Sequence, residues 1–410
     1  MRELLRQPRT RLFLAAHAQS TLGTGAGYVA LLLLAYDRFR SPWAITLVLL
    51  ADFLPSMLLG PVLGAVVDRG SRKAAAVLSD LARAAAFISI AFVGSFELTV
   101  ALALLAGTGT ALYRPAVMAA LPSLAPRERQ PALTSAYGAI EDLGHTAGPA
   151  LAAAGLLVLP ASTVVAIDGA TFLVSAFVVS RIDFGSRPMD APAGALLRAV
   201  REGIAVARRV PGVPTVVIAS SSVVLFAGLF NVGELLLATG ELGAGASGFS
   251  LLVAIYGAGA VGGSLVGSRG GGVPLLRRRY ALGIGCVGAG MLAAGVAPGY
   301  AAALGSFLLA GIGNGLVVVH ERLLLQEALD DSLLGRVFGL KDALSSWAFG
   351  TAFICAGALT SLLGVRALFI LAGAGGLAVC TWAVLSFRAI GLGDGPGPPV
   401  SEPDGAAATA

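Results

Sequence analysis

Eight carboxylates stand in places where carboxylates are expensive. Asp52, Asp80, Glu141, Asp142, Asp168, Glu234, Glu321 and Asp342 all fall inside or at the ends of long, mostly apolar stretches. A charge at the centre of a bilayer costs ~2.5 to 3.5 kcal/mol, so each of these groups should face a partner, a cavity or water. Such a carboxylate can hold a proton or attract a cation. Glu141 and His145 are four residues apart and share a helix face, with Asp142 beside them. At that spacing a carboxylate and an imidazole can share a proton near neutrality. Glu141, Asp142, His145, Glu234 and Asp52 are therefore candidates for carrying protons. Asn231, Glu234 and Arg114 are candidates for lining a cavity that takes a small molecule. Asp80 and Arg83, three apart, can neutralise each other, while Asp52 and Asp168 could equally hydrogen-bond a neighbouring helix backbone. His320-Glu321-Arg322 and Lys341-Asp342 suit gate salt bridges.

Nothing in the sequence assembles these groups into a catalytic site. Gly257-Ala-Gly-Ala-Val-Gly262 matches a dinucleotide fingerprint in letters, but it lies in an apolar helix and follows no strand, so close helix packing explains it better. His320-Glu321 lacks the second histidine of a zinc protease, and neither a Gly-x-Ser-x-Gly elbow nor a phosphate-binding Gly-Lys-Ser/Thr loop is present. Cys286, Cys355 and Cys380 lie in apolar stretches and read as small hydrophobes, not metal ligands. Neither an enzyme nor an ATP motor is expected, and no cofactor or metal.

The elements that must position these residues are membrane helices. Of 410 residues, 56% are hydrophobic and only 12% charged, about half the usual share, so a soluble globule is excluded. A spanning helix needs ~20 apolar residues. Twelve segments qualify, at 12–36, 43–67, 74–95, 98–122, 132–158, 161–181, 213–239, 247–268, 279–298, 300–322, 337–363 and 365–387. The expected fold is an all-α integral membrane protein of twelve transmembrane helices in two pseudo-symmetric six-helix bundles. The net charge of +5 is not a nucleic-acid surface: 21 of the 28 basic residues fall on the side holding the N-terminus, and only Arg38, Arg40 and Arg366 on the other. The positive-inside rule then puts both termini in the cytoplasm of a cell membrane. The Arg-rich start runs directly into the first apolar segment, so no removable signal peptide is expected.

Four regions follow: a first bundle over 1–182, a linker over 183–212, a second bundle over 213–390 and a tail over 391–410. Leu196 to Val210 in the linker has the pattern of a basic amphipathic helix lying on the inner membrane face, and the Gly/Pro/Ala-rich tail should be disordered. Tyr113 to Gly144 is echoed by Val319 to Gly350, and Gly60 to Lys73 weakly by Gly263 to Arg279.

Between the second and third spans the chain reads Gly60-Pro-Val-Leu-Gly64-Ala-Val-Val-Asp68-Arg69-Gly70-Ser71-Arg72-Lys73. This resembles the G-x-x-x-D-R-x-G-R-K signature of the major facilitator superfamily, with Ser71 in place of a glycine. The resemblance implies that Gly64, Asp68, Arg69, Arg72 and Lys73 form a gating motif. Its acid would dock on the start of the eleventh helix at Gly335-Arg336, where a helix dipole favours negative charge. Gly144-His-Thr-Ala-Gly148-Pro149-Ala-Leu-Ala-Ala153 is similar to the G-x-x-x-G-P-x-x-G-G motif of exporters in that superfamily that exchange substrate for protons, with Ala152 and Ala153 replacing the last glycines. Gly144, Gly148 and Pro149 would permit a kink and a close helix approach.

Arg114-Pro-Ala, Ala120-Leu-Pro, Asp80 to Arg83 and Leu334-Gly-Arg-Val extend the likeness over most of residues 10–390, toward the twelve-span drug and proton antiporter branch that holds macrolide and enterobactin exporters. Ala103 stands where many drug exporters carry an arginine before the Gly107-x-Gly109 of span four, so the proton route is not carried over. What the resemblance implies is proton-coupled efflux of a hydrophobic or amphipathic small molecule by a monomer in the lipid bilayer, powered by the proton gradient. A siderophore or lysophospholipid carrier of the same fold is the alternative, and a non-transporting receptor or scaffold a more distant one.

Overall fold

A computed structural model describes residues 6–184, 203–267 and 271–391, and among them there are helices and no strands. The tail, most of the linker and its helix up to residue 202 lie outside the described residues. Twelve long helices follow one another: α1 (Pro8–Phe39), α2 (Pro42–Arg69), α3 (Arg72–Phe92), α4 (Phe96–Leu124), α5 (Gln130–Gly155), α6 (Ala161–Ser180), α7 (Val213–Leu236), α8 (Gly245–Gly267), α9 (Val273–Gly295), α10 (Tyr300–Ala328), α11 (Asp331–Leu363) and α12 (Val365–Gly391). Nine of them are long and apolar enough to cross a membrane. The other three are α2, whose described apolar stretch is Trp43–Ser56, α5, and α9, which carries Arg277, Arg278 and Arg279 in its second turn. The twelve expected spans correspond in order to these twelve helices.

Several helices start where the sequence supplies a start: Pro occupies the first turn of α1, α2, α5, α7 and α9, where its missing N–H costs no hydrogen bond. The Ser71 side chain accepts from the Ala74 N–H and caps α3. Arg38 and Arg366, two of the basic residues that break the one-sided charge pattern, have a structural use. Arg38 donates to the Ile90 and Ala91 carbonyls at 2.7 Å and to that of Val93, closing the C-terminus of α3. Arg366 donates to the Ala297 carbonyl at 2.9 Å just past α9 and pairs with Glu241 at 2.9 Å. Cations are favoured at helix C-termini, where carbonyls are left without helical partners.

The helix pairings repeat after six. In the first half α2 packs on α4, α3 on α4 and α6, and α1 on α5 and α6; in the second, α8 packs on α10, α9 on α10 and α12, and α7 on α11 and α12. Glycine makes the repeat possible. A Cβ on Gly107 would run into the Asp52 carbonyl of α2, and one on Gly109 would stand 2.9 Å from Arg83 of α3. In α10, Gly311 presses in the same way on the Tyr256 carbonyl of α8, and a Cβ on Gly313 would stand 2.5 Å from the Gly283 carbonyl of α9. Gly259 of the discarded fingerprint packs on the α10 backbone, where a Cβ would lie 2.5 Å from the Leu308 carbonyl.

The halves meet along α5–α8 and α2–α11. Val29, Leu32 and Leu33 of α1, Ile45 and Leu49 of α2, and Ala152 of α5 join one continuous buried core with the second half. All six lie toward the end of the bundle opposite Pro8. At the Pro8 end, Phe13, Leu14, Leu121, Leu133 and Tyr137 belong to a separate core that contains no described residue of the second half. Among the described residues, the halves share a buried core at the far end and none at the end where the chain begins.

Candidate functional site

The seal between the halves has an acidic and aromatic floor. Glu234, in the last turn of α7, is 3% exposed and has no hydrogen bond or ion pair among the described residues. Just beyond it the helix widens into a π turn over Leu237–Glu241, a distortion frequent at functional sites. Tyr28 of α1 lies within electrostatic reach of both Glu234 and Asp52 of α2, and its buried hydroxyl has no hydrogen-bond partner among the described residues. Tyr256 of α8 also feels Glu234. Carboxylates from opposite halves thus both act electrostatically on one tyrosine.

Aromatic rings cluster on the same helices. Phe230, one turn before Glu234, packs on Tyr256 at 5.7 Å, Phe307 at 4.6 Å and Phe369 at 5.0 Å. Phe53, next to Asp52, meets Phe349 and Phe353 of α11 at 5.4 and 5.7 Å. Rings with negative faces beside carboxylates favour an apolar molecule carrying a positive charge. Asn231, half-buried, lies one turn before Glu234 on the same helix.

The other sequence candidates divide. Glu141 is half-buried and lies within electrostatic reach of Tyr137, one turn earlier. Tyr137 in turn stacks on His17 of α1 at 4.0 Å, with Arg114 of α4 in its field. The side chains of Asp142 and His145 lie outside the described residues, as do those of Gly64, Asp68, Arg69 and Gly335 in the gating motif. Of the remaining motif residues, Arg72 donates to the Ala119 carbonyl of α4 at 2.8 Å, Lys73 is half-buried, and Arg336 is engaged. The first turns of α11 are covered from the linker: a Cβ on Gly203 would stand 2.7 Å from the Arg336 carbonyl.

The antiporter-like motif is a packing seam. A Cβ on Gly148 would stand 2.6 Å from the Gly25 Cα of α1, and one on Gly144 2.6 Å from Thr21, while α5 continues through Pro149 to Gly155. Asp80 and Arg83 form the expected buried ion pair, with the guanidinium 4.3 Å from the ring centres of both Tyr113 and Phe172. Lys341 pairs with Glu321 at 2.8 Å and Asp342 at 3.2 Å, tying α10 to α11. These three residues lie within the second half, so the pair joins helices of one half and does not bridge the two. Among the described residues no cluster of three or more metal-ligating side chains occurs.

Sequence reasoning missed Tyr28, His17 and Tyr137. Each acts across helices, and spacing within one helix carries no signal for that.

Residues 12–341 match the family model described as Major Facilitator Superfamily. The chain belongs to the major facilitator superfamily. It is 27% identical over 382 residues to the uncharacterized MFS-type transporter YfiS of Bacillus subtilis (strain 168), covering 88% of each chain. It is 24% identical over 373 residues to macrolide efflux protein A of Streptococcus pyogenes, covering 88% of this chain and 91% of that one. Among solved structures, the nucleoside transporter NupG superposes with a TM-score of 0.69 at 11% identity, over 93% of this chain and 99% of that one. A bacterial homolog of the human lysosomal transporter Spinster, in an inward-facing and unoccupied conformation, superposes with 0.66 at 15% identity, over 94% and 96%. At such identities these two likenesses speak for the fold. This major facilitator protein is a multi-pass membrane transporter with efflux-type relatives, and not an enzyme.

Proposed function

We propose that this major facilitator protein is a secondary active exporter of hydrophobic or amphipathic small molecules, exchanging substrate for protons by alternating access. The observation that carries the reading is Glu234: a buried carboxylate without a partner among the described residues, within electrostatic reach of Tyr28 of the other half and one turn from the aromatic cluster around Phe230. Glu234 takes up a proton when no cationic substrate is present and gives it up when one arrives, because the site tolerates one positive charge and not an empty carboxylate. Asp52 and Tyr28 supply the first half's share of the site, and Asn231 offers a neutral polar contact. The relative named as a macrolide efflux protein supports a macrolide-like substrate. Protons and the lipid bilayer are its partners, the proton gradient its energy source, and a monomer its working unit.

The sealed far end and divided near end fit one of the two states that alternating access requires. With both termini in the cytoplasm of the cell membrane, as the charge pattern favours, the divided end opens inward. Arg72, Lys73 and Arg336, with the rest of the gating motif, hold the inner ends of α2, α3 and α11 as the halves rock.

The test is accumulation in cells lacking their own exporters. Expression of the chain should lower the cellular level of a fluorescent hydrophobic amine or a macrolide, a protonophore should restore it, and Glu234→Gln should match the empty vector. Accumulation unaffected by expression across amines, macrolides and neutral lipids would overturn the exporter reading.

A further inference from the structure

A second buried carboxylate has no part in the seam just described. Asp168 of α6 lies wholly inside the first half, where α6 crosses α1 over two glycines, and it is 1% exposed. A Cβ on Gly27 would run into its carboxyl group, and one on Gly23 would stand 2.9 Å from its Oδ1. Its Oδ1 is 3.4 Å from the Thr171 hydroxyl, which donates at 2.7 Å to the Asp168 carbonyl instead. Its Oδ2 is buried and has no hydrogen-bond partner among the described residues.

Among the described residues, Arg83 is the cation that acts on Asp168. Of the helices packed on α6, α3 brings Asp80 and Arg83, and α1 brings the two glycines and Gln19, whose amide donates to the Thr171 carbonyl at 2.9 Å. Asp52 of α2 adds a further acid to the field. Arg83 is thus the cation facing three carboxylates, Asp52, Asp80 and Asp168. It is committed to Asp80 and held there between the rings of Tyr113 and Phe172. An ionised carboxyl with a buried oxygen that accepts no hydrogen bond, pressed against a helix backbone, is not a stable arrangement.

We infer that Asp168 is a proton-binding site of its own inside the first half, occupied in the state described and emptied only when α1 and α6 part. The step is a simple one: the carboxylic acid releases one proton from its carboxyl oxygen to water, leaving one negative charge, with no other bond changed. That charge then competes with Asp80 for Arg83, which links release to a rearrangement of α1, α3 and α6. The bundle thereby gains an ion site independent of Glu234. What the proton does in transport rests on the exchange reading above, whereas its presence does not.

Infrared difference spectroscopy on the purified full chain in lipid, without substrate, separates the two. The expected result at neutral pH is a protonated-carboxyl band of which one component disappears in Asp168→Asn and persists in Glu234→Gln. Should Asp168→Asn fail to fold, Thr171→Val is expected to shift that component by removing the neighbouring hydroxyl. A band identical to wild type in Asp168→Asn, or in the second case unshifted in Thr171→Val, overturns the inference. Neither outcome depends on whether the protein exports anything.

Discussion

At the scale of single residues, Glu234 is the group whose replacement says most. A buried carboxylate that contacts a bound cation contributes ~1.5 to 3 kcal/mol as a charge-assisted hydrogen bond. Glu234→Gln should therefore weaken binding of a hydrophobic amine about tenfold to a hundredfold while leaving a neutral analogue of equal size almost unchanged, as equilibrium binding to the purified protein would read. The same substitution removes a charge that the fold must otherwise shelter, so thermal unfolding should occur no earlier than in wild type. Equal losses for amine and neutral analogue would assign Glu234 a packing role. Glu234 and Asp52 were legible in the sequence because an acid within an apolar helix is conspicuous by type alone. Tyr28 was not: a tyrosine in a membrane helix is ordinary, and only the meeting of α1, α2 and α7 gives its hydroxyl a role. The expected partnership of Glu141 with His145 falls outside the described residues, as the His145 side chain does, while Glu141 lies in the field of Tyr137 one turn earlier.

At the scale of elements, the seam between α1 and α5 governs what these helices can do. A methyl group on Gly148 would meet the Gly25 Cα at 2.6 Å and the Leu22 carbonyl at 2.8 Å, both backbone, so neither side can yield by turning a side chain. Gly148→Ala should cost about 1 to 3 kcal/mol and lower the unfolding midpoint, whereas Gly138→Ala on the same helix meets nothing within 4 Å and should be neutral or slightly stabilising. Similar losses for both would contradict the seam.

The tie between α10 and α11 is a second case. Lys341→Met leaves Glu321 mostly buried without its cation, which costs about 3 to 5 kcal/mol for a fully buried pair and less at the half-buried Lys341. Adding Glu321→Gln should recover most of the loss in a double-mutant cycle. The existence and order of these helices was legible from apolar length and charged breaks. Their pairing was not, except where glycine spacing hinted at it. The Gly107-x-Gly109 of α4 and the Gly311-x-Gly313 of α10 each place one glycine against one neighbour and the second against another, a geometry that becomes readable only once the helices are set side by side.

At the scale of the whole molecule, the far-end seal makes a state that can be trapped. A Cβ on Gly357 of α11 would stand 2.8 Å from the Thr46 hydroxyl of α2. With Cys286, Cys355 and Cys380 replaced by serine, the pair Thr46→Cys and Gly357→Cys should oxidise to a disulfide that stops transport, and reduction should restore it. Undiminished transport in the cross-linked protein would mean that the halves do not part at that end. The six-helix repeat was foreshadowed by the echo of Tyr113 to Gly144 in Val319 to Gly350. Which end is closed depends on apolar contacts between halves that no single stretch of sequence contains.

The central claim, exchange of an amphipathic small molecule for protons at Glu234, is met most directly by flux in proteoliposomes under an imposed pH gradient. Purified wild type should accumulate a hydrophobic amine against its gradient on the side from which protons leave, should stop when the gradient is dissipated, and should lose gradient-driven flux in Glu234→Gln. Flux of the same size with and without the pH gradient, or undiminished in Glu234→Gln, would contradict it.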